Sequence, residues 1–86
     1  MPEISRFFGI VVQMFWDDHL PPHFHARYGR DRIQVEIGSW RVLRGSFPPR
    51  ALALVVEWAE KHHDELARDW ELAEAGQPLD RIEPLR

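Results

Sequence analysis

Cysteine is absent from the 86 residues, which excludes a disulfide framework and any thiolate metal site. No stretch approaches the roughly 20 apolar residues of a membrane-spanning helix. The first residues carry no basic-then-apolar leader pattern. A cytoplasmic location with no membrane partner is therefore the expectation. Excess positive charge is missing too: the net charge is −3 with histidine neutral, so bulk charge does not draw the chain to nucleic acid. A local basic patch for RNA is still compatible with that balance. Repeats, low-complexity tracts and linkers are also lacking, which leaves one domain over residues 1–86. Its apolar content of 44%, with four Trp, five Phe and one Tyr, supports a modest core. A chain this short buries only roughly 60–65% of its unfolded surface, so its stability is marginal without a partner.

What is present is concentrated in Asp17-Asp18-His19-Leu20-Pro21-Pro22-His23-Phe24-His25, which holds three of the five histidines. Proline fixes φ near −65° and pushes its predecessor into an extended conformation, so Leu20 to Pro22 reads as a stiff, non-helical connector. Beyond it, His23 to Tyr28 alternates polar and apolar. In a strand that places His23, His25 and Arg27 on one face and Phe24, Ala26 and Tyr28 on the other.

Around this motif the pattern predicts an α+β domain. A four-stranded antiparallel sheet, mostly a meander, spans residues 3–45. One long C-terminal helix follows over 49–75, then a short irregular tail over 76–86. Ile4 to Trp16 reads as one interior strand, apolar on both faces, with Gly9 at a bulge or bend. Asp17 to Pro22 forms the loop into the next strand, and Gly29-Arg30-Asp31 the following turn. Asp31 to Ile37 alternates with Ile33, Val35 and Ile37 inward. Gly38-Ser39 fits a two-residue hairpin loop that faces Ile37 with Trp40, Glu36 with Arg41 and Val35 with Val42. Pro49 suits a first helical turn. Leu52, Val55, Val56, Ala59, His62 or His63, Leu66, Trp70 and Ala73 keep a helical period up to a Gly76 terminator. Such a helix is about 40 Å long, against a domain diameter of roughly 30 Å. It must overhang or break near His62-His63-Asp64. Leu54, Trp58 and Leu72 lie off the stripe, to be covered by Leu79, Ile82 and Leu85 of the tail or by a homodimer or other partner.

Several segments carry a resemblance. Met1 to Ile10, the Asp18-His19-Leu20-Pro21-Pro22-His23-Phe24-His25 core, Trp58…Glu65-Leu66…Trp70 and Ile82-Glu83-Pro84-Leu85 resemble the bacterial domain-of-unknown-function family 4160 over essentially the whole chain. Trp16 stands where that family usually has Tyr. The resemblance supplies no mechanism. It implies a gene often placed beside a second small uncharacterised protein, in a toxin–antitoxin-like pair with this chain as candidate toxin and the neighbour's product as partner.

Three chemistries fit the motif. The first is metal-free RNA cleavage, with His23 and His25 as acid and base, Arg27 as phosphate clamp, and Asp17 or Asp18 holding an imidazole tautomer. Trp16 and Tyr28 are the candidates to stack a base, although the strand phase puts Tyr28 on the opposite face. The second is a divalent metal site, with His23 and His25 as same-face ligands and His19 or Asp18 completing three. The third is structural: the histidines and aspartates satisfy local backbone groups, and the rigid hairpin binds a partner. His62 and His63 are expected either at the end of the sheet or reaching the strand histidines. Arg30, Arg32, Arg41 and Arg44 form either a phosphate-attracting patch or charged strand edges. A Pro2 amine freed by loss of Met1 is in principle a low-pKa amine, though nothing nearby in sequence supports that role.

Overall fold

The computed structural model describes residues 2–86; the Pro2 amine reading turns on Met1, which lies outside the described residues. Five strands and two helices follow in order: β1 (Glu3–Phe7), β2 (Ile10–Gln13), β3 (His23–Tyr28), β4 (Asp31–Glu36), β5 (Val42–Gly45), α1 (Pro49–Lys61) and α2 (His63–Glu74). The sheet is an antiparallel meander in the order β1-β2-β3-β4-β5. The α+β class and the meander agree with the sequence reading; the numbers of strands and helices do not.

The extra strand comes from Gly9. The expected single strand from Ile4 to Trp16 is a hairpin, in which Phe7 faces Ile10 and Ser5 faces Val12. Phe8 and Gly9 both have positive φ, 47° and 80°, as the two central residues of a tight type I′ turn require. Glycine meets that demand without strain and Phe8 does not, so the Gly-containing turn was concealed behind an aromatic. β2 is indeed buried on both faces, since it lies second in the sheet. The β4–β5 hairpin keeps two of its three expected pairs. Val35 faces Val42, and the Glu36 amide donates to the Arg41 carbonyl. The loop is wider than Gly38-Ser39 alone: the Trp40 amide donates back to the Glu36 carbonyl, and Trp40 has a φ of 61°.

The single helix of 49–75 is interrupted at His62, where φ is −120° and the amide bonds to the Ala59 carbonyl. Compactness supplies the reason. The molecule measures 33 × 25 × 23 Å, too short for a straight helix of about 40 Å. At the far end the Gly76 amide donates to the Ala73 carbonyl and the Gln77 amide to the Leu72 carbonyl, a Schellman closure. None of the helices is long and apolar enough to cross a membrane among the described residues.

Packing turns the helix about its axis relative to the expected stripe. Ala51, Val55, Trp58 and Ala59 are the buried positions of α1, and Leu66, Asp69, Trp70 and Ala73 those of α2. Trp58, read as off-stripe, is fully buried against Phe7 and Phe24. The tail closes the core as expected, with Ile82 and Leu85 buried and Leu79 partly so. The Trp58 indole donates to the Glu83 carbonyl, the Trp16 indole to the Gln77 carbonyl, and the Ile82 amide to the Ile4 carbonyl on β1.

Asp69 is the one buried carboxylate of α2. Its Oδ1 accepts from the Asp80 amide, while its Oδ2 has no partner among the described residues. Burial pushes its carboxyl up, aided by the nearby Asp80 and Glu65 charges, against the opposing Asp80 amide. A raised folded-state value means the ionised form costs stability at neutral pH, a cost relieved as pH falls through that value. Asp69→Asn keeps the Oδ1 acceptor and removes the charge. It is expected to stabilise the fold by roughly 1 kcal/mol at pH 7, with the gain vanishing below about pH 4. Urea denaturation at the two pH values measures it, and an equal effect at both would contradict the assignment.

Candidate metal centre

The site is built by β3 and by the loop between β2 and β3. Strand alternation turns Phe24 and Ala26 into the core and leaves His23, His25 and Arg27 on the opposite face. The loop brings Asp18 back over that face. Its Leu20–Pro21 peptide bond is cis, and Asp17 has a φ of 57°, a conformation that aspartate tolerates better than most residues.

Asp18 is the hub. Its Oδ2 lies 3.0 Å from His23 Nε2 and 2.9 Å from His25 Nε2. Its Oδ1 lies 2.9 Å from His19 Nδ1 and accepts from the His19 amide. Burial alone would raise the Asp18 carboxyl. Hydrogen bonding with His25 and His19 and the adjacent His23 ring outweigh that and hold it well below the usual carboxylate range. It is an ionised, acceptor-only group.

His23 is 1% exposed, with the Trp70 ring 5.4 Å away. Its Nδ1 is 2.7 Å from the Pro21 carbonyl. A carbonyl only accepts, so Nδ1 carries a hydrogen. In the neutral ring Nε2 is then a lone pair facing a carboxylate lone pair, an arrangement that needs a cation between them, either a proton or a metal ion. With both nitrogens engaged and no access to solvent, His23 has none left to exchange a proton with a substrate. A ring nitrogen anchored on a backbone carbonyl, with the other directed at a shared point, is how ligating histidines are held. His25 is less enclosed, 23% exposed at its side chain, and the Phe15 ring stands nearly perpendicular to it with the ring centres 4.7 Å apart.

Asp18, His23 and His25 each offer one ligand atom, and the three atoms lie within 4.8 Å of one another. Bonds of about 2.1 Å at right angles would separate neighbouring ligand atoms by about 3.0 Å, close to both His-to-Asp18 distances. Two histidines and a carboxylate on one ion leave its remaining positions open. His19 stands apart from this triad. Its side chain is exposed and holds the opposite carboxylate oxygen. Asp17 is exposed. His62 bonds Glu65 and packs on Trp58, while His63 packs on Trp40; neither joins the strand histidines.

Register places His25 in a row across the sheet with Gln13, Gln34 and Arg44, and Arg27 in the next row facing Arg32. Sequence alternation gave the outward direction of Arg32 and Gln34 but not this alignment, which needs the pairing of β3 with β4. The four hairpin arginines separate in the structure: Arg30 is exposed in the turn between β3 and β4, Arg41 is paired with Glu36, and Arg32 and Arg44 stand beside Arg27. No curated protein and no solved structure matches the chain. A family sequence model does match over residues 9–71, which include every residue of the triad and of these rows. The chain belongs to the family described as Domain of unknown function (DUF4160).

Proposed function

We propose that this protein binds one divalent first-row metal ion through Asp18, His23 and His25, and that the ion serves as a Lewis acid for a ligand entering from the His25 side. One observation carries the reading: two imidazole Nε2 atoms converge on one ionised carboxylate oxygen while the buried ring's other nitrogen is fixed on the Pro21 carbonyl. A bound ion would supply an activated water or a polarised ligand oxygen. The residues around it hold the ligand set in place: Pro21 and Trp70 orient His23, Phe15 orients His25, and His19 steadies the far oxygen of Asp18. The candidate-toxin role and a neighbour-encoded partner rest on the family resemblance, and action on RNA on the histidine and arginine chemistry of the motif; the metal centre is the reading the site geometry favours.

The test uses chain purified without a polyhistidine tag, stripped with chelator and reloaded with Mn²⁺, Fe²⁺, Co²⁺, Ni²⁺ or Zn²⁺ in turn. Elemental analysis is expected to find one ion per chain. An ion at a hundredfold over its dissociation constant stabilises the fold by about 2.7 kcal/mol, a rise in melting temperature of roughly 10–20 °C. His25→Ala should abolish both results. The competing arrangement is a proton-bridged clasp, with His23 as an imidazolium between Pro21 and Asp18. It predicts no stoichiometric ion and no thermal shift with any of the five metals, and that outcome would discard the metal centre.

A further inference from the structure

Arg27, Arg32 and Arg44 lie on the sheet face that carries His25, around a cavity of about 290 Å³ that His25 and Gln34 also line. Arg27 faces Arg32 directly across β3 and β4. Like charges in that position destabilise a sheet, and no carboxylate among the described residues pairs with either. None of the three arginines has an ion pair or hydrogen bond among the described residues, whereas Arg6, Arg41, Arg68, Arg81 and Arg86 are each paired with an acid. Protection of exposed edges by charge accounts for Arg44 on β5. It does not account for Arg27, because β3 is the central strand of five.

The crowding is also built into the backbone. A Cβ placed on Gly45 would collide with the Arg32 carbonyl oxygen. Only glycine lets β5 come this close to β4, and that approach sets Arg44 beside Arg32.

We infer that this groove is a phosphoryl-binding subsite, with Arg27, Arg32 and Arg44 as its donors and the ester directed toward the Asp18–His23–His25 centre. The inference deepens the metal-centre reading and rests on it for the direction of the ester. Guanidinium forks match phosphate oxygens in pairs, and three of them exceed what a single carboxylate can neutralise. The overall charge of −3 confines the positive field to the groove, which favours a compact phosphate ester over a long polyanion. The cavity volume lies at the small end of ligand sites, enough for a phosphoryl group and part of what it esterifies.

Binding of inorganic phosphate, adenosine 5′-monophosphate and a dinucleoside monophosphate, each titrated into metal-loaded and metal-stripped protein and followed by amide chemical shifts, tests this. All shifts should centre on residues 25–34 and 42–45. Tighter binding of inorganic phosphate or the monoester identifies a terminal phosphate as the ligand; tighter binding of the dinucleotide identifies an internal one. The Arg27→Gln/Arg32→Gln double variant should bind the preferred ligand about ten- to a hundredfold more weakly, with unchanged metal content and native amide dispersion. Equal affinity in the double variant, or shifts lying elsewhere, would overturn the inference and leave the metal result standing. Stripping the metal should weaken binding yet preserve its dependence on the arginines, so loss of the centre and loss of the subsite give different results.

Discussion

Trp58→Ala is expected to leave the protein mostly unfolded near 37 °C. The side chain is fully buried, contacts rings from β1 and β3, and donates to the Glu83 carbonyl in the tail. Truncating a buried tryptophan costs about 3–5 kcal/mol, most of the stability that a domain of this size holds. The corresponding fall in melting temperature is roughly 15–30 °C, read by circular dichroism. Trp58→Phe restores most of the aromatic volume and removes only the indole donor. It should cost far less while speeding hydrogen exchange at the Ile82 amide, which bonds Ile4. If the alanine variant melted within a few degrees of the parent, the core would not be organised about this residue.

The second large effect belongs to Asp18→Ala. Three imidazoles lose their shared acceptor at once, and the ligand set falls from three groups to two. Metal affinity should drop by at least on the order of a hundredfold, beyond what loss of an outer partner causes. The metal-free fold should weaken by about 1–3 kcal/mol, since His23 Nε2 is left buried without its partner. Equilibrium dialysis against the preferred ion, together with a urea melt of the stripped protein, measures both quantities. Retention of a stoichiometric ion with unchanged affinity would remove Asp18 from the centre. Asp18→Asn separates charge from shape. It keeps an oxygen at the hub and is expected to recover stability more than affinity.

How far the residues announced this arrangement depended on whether the signal was local. Alternation along His23 to Tyr28 is a property of the backbone, and it placed His23, His25 and Arg27 on one face as expected. Helix termination at Gly76 is equally local, and so is the opposition of Val35 to Val42. The hairpin at Phe8-Gly9 was missed because Phe8 occupies a positive-φ position that ordinarily goes to Asn or Asp, so the apolar run looked continuous. The interruption at His62 has no Gly or Pro to mark it; the dimensions of the molecule impose it, and only a length argument gave warning. The site behaved likewise. Asp18 and the histidines stood together in the chain, but the hub role of one oxygen needed the loop path. The grouping of Arg27 with Arg32 and Arg44 needed the registers of two hairpins. Trp70 and Phe15, which fix the imidazole rings, sit far away in sequence or just ahead of the loop, and no spacing rule connects them to it.

The two flanks of the sheet are unequal. Along β1 the returning tail already takes up the Ile4 carbonyl, and the Arg81 guanidinium reaches that of Glu3, whereas β5, short and irregular, has no strand on its outer side among the described residues. Copies that joined by lateral strand addition could therefore do so through only one flank each. Such growth ends at a back-to-back couple, and an endless ribbon of stacked molecules is denied to this fold for as long as the tail stays in place.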